Sequence, residues 1–229
     1  MKKISLILLS VFVTYSSANA EVKIYGGIDA QVQMLNLKTK KAIVSTGGGN
    51  TNLEPDTYYD KDTLAPAVFL GLDVADALKI EVGYSRKTAN QRGSANTGLY
   101  YDSETNPVAM HSQIKSEEIN LDFKPYKKFD DALVYGIIGV THYKFAIKES
   151  YIIEGSTYKG VLFSQESETK NVISPSIGVG VEYTLTPSIF ARVQGKYNFM
   201  NTKFDNFTYG LNKIQGAATF GLGIGAYFF

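Results

Sequence analysis

From Glu21 onward the apolar residues of the chain recur at every second position, where a helix would bring them round every third or fourth. Ile24, Gly26, Ile28, Ala30, Val32 and Met34 alternate with Tyr25, Gly27, Asp29, Gln31 and Gln33, the spacing that sends successive side chains to opposite faces of a β-strand. A first strand of about eleven residues follows. The same alternation marks Leu78 to Ser85, Glu118 to Phe123, Ser176 to Thr184 and Ile189 to Asn198. Less regular runs cover Leu64 to Asp73, Leu133 to Lys148 and Ile214 to Phe229, which makes eight strands.

The connections between these runs are unequal in a regular way. Val74 to Ala77, Lys124 to Asp131 and Leu185 to Ser188 are short, whereas Asn36 to Thr63, Thr88 to Met110, Glu149 to Asn171 and Asn201 to Lys213 are long. Short and long alternate strictly. The predicted fold is therefore all-β: an eight-stranded antiparallel up-and-down transmembrane β-barrel with short periplasmic turns and four long extracellular loops. The apolar–polar alternation within the strands would by itself suit a soluble sandwich equally well, because an antiparallel sheet can turn its polar face to water; the alternation of short and long connections would not be expected there.

In a barrel of eight strands the interior is only wide enough for side chains. By parity, Asp29, Glu81, Glu118, Asp122 and Glu182 share the polar face with Lys79, Lys144, Arg192 and Lys196, so these groups are expected to pair inside a narrow lumen. Glu182 and Arg192 flank the Leu185 to Ser188 turn and are expected to face each other across it. Tyr25, Tyr84, Phe123, Tyr126, Tyr135, Tyr143, Phe145, Tyr183, Tyr197, Phe199, Tyr227 and Phe229 fall mostly near strand ends, the heights of interfacial aromatic girdles. In the last strand the row Phe220, Leu222, Ile224, Ala226 and Phe228 is expected to face lipid, with a bulge or splay carrying Tyr227 and Phe229 to the interface.

Composition narrows the picture. Lysine and arginine total 23 against 22 aspartates and glutamates, so no net field draws the chain to nucleic acid. Cysteine is absent, which excludes disulfides and thiolate metal sites. The opening stretch MKKISLILLSVFVTYSSANA has basic Lys2 and Lys3, an apolar run from Ile4 to Val13 and a small-residue close at Ala18-Asn19-Ala20. That order is the mark of a secretory signal, residues 1–20, cleaved after Ala20, and its apolar run is too short to span a bilayer. Residues 21–229 then form a single barrel domain exported to the bacterial outer membrane.

At PSIGVGVEYTLTPSIFARVQGKYNF, residues 175–199, the chain resembles the small outer-membrane barrels of the opacity and OmpA-like superfamily. Glu182-Tyr183, Arg192 and Lys196-Tyr197 match the family's pattern of a Gly-rich strand ending in Glu-Tyr, a short turn and a strand that carries a basic residue and closes on Tyr. ALVYGIIGVTHYKF, residues 132–145, looks like the family's middle strand, and the aromatic terminus like its closing one. The resemblance implies a monomeric barrel in outer-membrane lipid, recognised by the barrel-insertion machinery through Phe229. Members in host-associated bacteria, including rickettsial adhesins, attach to host cells, which makes a host surface protein an expected partner.

Chemistry of other kinds finds little support. His111 and His142 have no second metal ligand at a recognised spacing, and the His-x-Ser pair of lipid A deacylases is missing, so no catalytic, metal or cofactor site is expected. Gly221 to Ala226 matches a dinucleotide-binding pattern on paper, but no helix can follow it. The loops hold the candidate binding residues. Tyr58, Tyr59 and Asp60 in the first and Tyr100, Tyr101 and Asp102 in the second repeat a Tyr-Tyr-Asp, and tyrosine offers large contact area at low entropic cost. Packing of the loops on one another accounts for the same repeat. In the third loop, apolar runs on either side of Glu154-Gly155-Ser156 could close an outward hairpin. The expected function is surface display for adhesion; a small-solute porin or envelope-integrity barrel is the alternative.

Overall fold

The computed structural model describes residues 22–40, 42–46, 49–53, 63–75, 77–92, 100–101, 106–153, 161–207 and 210–228. Its strands are β1 (Lys23–Lys40), β2 (Ala42–Thr46), β3 (Gly49–Leu53), β4 (Thr63–Ala75), β5 (Leu78–Arg92), β6 (Tyr100–Tyr101), β7 (Asn106–Phe129), β8 (Ala132–Ile153), β9 (Val161–Thr186), β10 (Ile189–Lys203) and β11 (Gly210–Tyr227). Eight of them pair with antiparallel neighbours in the order β1-β4-β5-β7-β8-β9-β10-β11, and β11 returns to β1, so the sheet closes into a barrel. Closure is what removes free edges from lipid, where an unpaired backbone group finds no water. β2 and β3 form a separate hairpin, and β6 is a short addition beside β7.

Several strands are much longer than the alternation suggested. β7 runs for 24 residues and β9 for 26, and β8 and β9 stay paired as far as Ile153 and Val161. The third long connection is therefore mostly a continued hairpin. At the other end, Asp130 adopts a φ of 49° in the two-residue turn between Phe129 and Ala132. Aspartate is among the few side chains that enter this left-handed region readily.

The outer wall carries a continuous apolar belt. Ile28, Val68, Val82, Ile138, Val179, Val193 and Leu222 all point away from the lumen and are half or more exposed. From Ile24 to Met34, at about 3.4 Å per residue and a tilt of about 40°, β1 climbs roughly 26 Å, which matches the apolar band of roughly 25 Å on outer-membrane barrels. Toward the long connections the outward row changes character on every strand described there. Tyr84 gives way to Arg86, Ile119 to Glu117 and Lys115, Ile173 to Asn171, and Phe199 to Asn201 and Lys203. The belt ends where these changes occur, and the strands continue into water.

In β11 Phe220, Leu222 and Ile224 face outward, and Phe228, just past the strand, is exposed as well. The expected bulge is missing: the β11 register with β1 is unbroken from Ala217 to Tyr227. Tyr227 keeps to the inward row and packs with Tyr25, Phe69 and Phe190. Phe229 lies outside the described residues.

Candidate functional site

The lumen is filled in three layers. Nearest the short turns, Tyr25, Phe69, Phe190 and Tyr227 make a cluster of tilted and edge-on rings with centroids 5.4–6.4 Å apart. Glycines opposite make this possible. The Phe190 ring lies on Gly225 and the Tyr135 ring on Gly180 so closely that an added Cβ would overlap ring carbons. Lys79 sits among the rings, its Nζ 4.9 Å from the centre of Tyr25, 5.4 Å from Phe190 and 5.2 Å from Tyr227, and bonds Glu182. The ammonium thereby gains a carboxylate and several π faces.

The middle layer is ionic. Arg192 donates from Nε and Nη2 to the two oxygens of Asp29 at 2.8 and 2.6 Å, and from Nη1 to Glu81 at 2.6 Å. Lys124 reaches the other oxygen of Glu81 at 2.7 Å. The planar guanidinium suits this site because it can fork onto one carboxylate while serving a second. Above it Lys196 pairs with Asp122 at 3.1 Å, and Lys87 with Glu118 at 2.9 Å. Gln33 also donates to Glu118, at 2.6 Å, and Gln194 to Asp29, at 3.2 Å. Together with Lys79 and Glu182 of the layer below, five carboxylates thus meet five cations among the described residues of these two layers. A gap beside Asp29, Glu81, Arg192, Gln194 and Lys196 measures about 20 Å³, room for about one water.

The third layer is apolar. Ile114, Tyr143, Phe145, Ile147, Met200, Phe204, Phe207, Leu211 and Ile214 form one buried cluster across the mouth on the long-connection side. Tyr143 and Phe145 stack at 5.2 Å with nearly parallel planes. This layer lies at the level where the outer wall has turned polar. Within the belt the barrel is apolar outside and ionic inside; beyond it the arrangement inverts to that of a water-soluble protein.

The inversion corrects one expected lumen residue. Asp29, Lys79, Glu81, Glu118, Asp122, Glu182, Arg192 and Lys196 come together inside, but Lys144 points outward. It lies 3.7 Å from Glu117 on the wall because its neighbours Tyr143 and Phe145 take the inward row. Glu182 and Arg192 do sit in register across their hairpin, yet each bonds elsewhere, since Arg192 has two carboxylates across the lumen. Tyr25, Tyr135, Tyr143, Phe145 and Tyr227 fill the lumen, where a girdle position was expected; Tyr84, Phe123, Tyr183, Tyr197 and Phe199 are on the outside. Lys124 and Lys87 are the lumen cations that the sequence reading passed over. Both continue the parity of their strands, Lys124 two positions beyond Asp122 and Lys87 two beyond Ser85. Tyr58, Tyr59, Asp60, Asp102, Ala18 and Ala20 lie outside the described residues; Tyr100 and Tyr101 pair through their backbones with Pro107 and Asn106.

The family model described as OmpA-like transmembrane domain matches residues 20–224. No curated protein matches the sequence. Among solved structures the chain is similar to the outer membrane protein OprG of Pseudomonas aeruginosa, at 11% identity and a TM-score of 0.54 over 90% of this chain and 96% of that one. It is also similar to a major outer membrane protein of Thermus thermophilus, at 12% identity and a TM-score of 0.52 over 91% of this chain and 100% of that one. A third, AlkL in DMPC bilayers, gives 14% and 0.51 over 93% of each chain. At these identities the likeness is one of fold.

Proposed function

The chain belongs to the OmpA-like transmembrane domain family of outer-membrane barrels, and from that premise we propose that it is a surface-display protein. A closed barrel anchors it in lipid, and its outer loops adhere to a host-cell or matrix component. The observation that carries this reading is the packing of the lumen among the described residues, where an aromatic, an ionic and an apolar layer lie one above another across it. The outward reach of the strands supports it as well. The β8–β9 hairpin continues from Val140 to Ile153, which at about 3.4 Å per residue and a tilt of about 40° raises it roughly 34 Å above the belt.

That hairpin is tied to its neighbours. Glu149, fully buried, accepts from the Leu211 amide at 2.9 Å, and Glu168 accepts from the Asn206 amide at 3.2 Å. A hairpin held in this way needs little further ordering of its own on binding. Deleting Tyr58 to Asp62 and Tyr100 to Glu104 is expected to abolish adhesion of expressing cells to host monolayers without changing surface level. Undiminished adhesion would sink the loop-binding reading and leave an envelope-integrity role. In planar bilayers the intact barrel is expected to stay silent, and steady, reproducible conductance would favour a porin.

A further inference from the structure

Just beyond the apolar belt, three adjacent strands each place a lysine at one height. Lys38 on β1 pairs in register with Lys213 on β11, which pairs in register with Lys203 on β10. Their inward neighbours Leu37, Ile214 and Thr202 face the lumen side, so the three lysines share the outer wall; Lys38 and Lys203 are exposed and Lys213 half-exposed. Like charges directly opposite on neighbouring strands destabilise a sheet. On the far side of the barrel the chain relieves the same problem: Arg86, Glu117 and Lys144 are in register, and the central glutamate lies 3.7 Å from each cation. In the lysine row the central residue is a third lysine. Among the described residues none of the three has a carboxylate partner, and the nearby Asp205, 79% exposed, is engaged by Lys170 at 3.6 Å.

We propose that this row is a binding site for the phosphorylated headgroup of a glycolipid in the outer leaflet. Below Asn36 and Asn201 the outer wall turns apolar at Met34 and Phe199, 44% and 48% exposed, with Tyr197 and Phe220 deeper in the belt, so an acyl chain against the belt brings its headgroup to the height of the lysines. Two strand spacings separate Lys38 from Lys203, a span of about 10 Å that suits an anion of more than one charge. The long connections set this end on the outer side of the membrane. The site is independent of whatever the loops bind.

The test reconstitutes the full chain in phosphatidylcholine vesicles doped with lipid A bearing both phosphates or with its dephosphorylated form. Lipid retained after mild detergent extraction is then counted by mass spectrometry. Wild type is expected to keep the phosphorylated form by about tenfold over the other, given the attraction of each lysine near an anionic surface. Lys38→Gln/Lys203→Gln/Lys213→Gln should lose that preference and Lys144→Gln should keep it. Should the triple variant fail the heat-modifiability check for folding, Lys213→Gln alone is expected to lower the preference about threefold. Equal retention of both lipids by wild type, or an unchanged preference in the folded variants, would overturn the proposal. So would full displacement by millimolar inorganic phosphate, which would mark a site for the free ion.

Discussion

Replacing Arg192 by methionine is expected to destabilise the folded barrel by about 3–5 kcal/mol, the cost of breaking a buried charge pair by removing one partner. Arg192 is 1% exposed and bonds both Asp29 and Glu81. Its loss does not fall equally on the two. Glu81 keeps Lys124 at 2.7 Å, whereas Asp29 is left with the side-chain amide of Gln194 at 3.2 Å and, at the limit of a hydrogen bond, that of Gln31 at 3.5 Å. The penalty should therefore concentrate on Asp29. Adding Asp29→Asn to Arg192→Met removes the stranded charge and is expected to restore most of the lost stability, because a buried ion pair replaced on both sides is often close to neutral. Urea titration in lipid vesicles, read by heat-modifiable migration, measures both variants. The guanidinium carbon also lies 3.3 Å from the centre of the Phe69 ring, and a double variant no more stable than Arg192→Met would show that the arginine acts through that packing and not through charge.

Within the belt the interior was legible because parity and chemistry agree there. Asp29, Glu81, Asp122, Glu182 and Arg192 alternate with residues that can only face lipid, so a single rule separates wall from lumen. Beyond the belt the rule keeps its period but changes its sign. On β8 the outward row runs Val134, Ile138, Val140 and then Lys144, Lys148; the inward row runs Tyr135, Ile137, Thr141 and then Tyr143, Phe145, Ile147. A reader who carries the polar-in assignment along the strand places Lys144 in the lumen. The height at which the sign changes is where water replaces lipid, and it becomes visible only when all strands are aligned by their hydrogen bonds.

The partners of the charges were less legible than their faces. Arg192 and Glu182 are neighbours across a turn, and local reasoning pairs them. The lumen is narrow enough for a long side chain to cross it, so Arg192 reaches strands β1 and β5 and Glu182 takes Lys79. Contacts with sequence separations of 163 and 103 depend on barrel closure and shear, which no local pattern encodes. The aromatic residues carry the same ambiguity. Tyrosine near a strand end serves as a girdle or as a plug, and only the facing glycine, Gly180 for Tyr135 and Gly225 for Phe190, distinguishes the plug.

The reversal of inside and outside also sets the second large effect. Leu222 lies at mid-belt on the outward row, 63% exposed and in register with Ala30 and Val193. Leu222→Arg is expected to cost about 2–4 kcal/mol, the depth-dependent penalty for a cation at the midplane of a barrel wall. Asn201→Arg, on the outward row of β10 and fully above the belt, should cost roughly 0–1 kcal/mol. The contrast is specific to a wall whose solvent changes along the strand. A soluble sandwich with Leu222 on a water-exposed face would accept arginine at either position, so equal small costs in the two variants, measured as urea midpoints in vesicles, would rule out the belt. Equal large costs would instead move the membrane boundary upward past Asn201 and place the apolar third layer inside the bilayer, where its inward-facing rings would no longer be the core of a water-exposed extension.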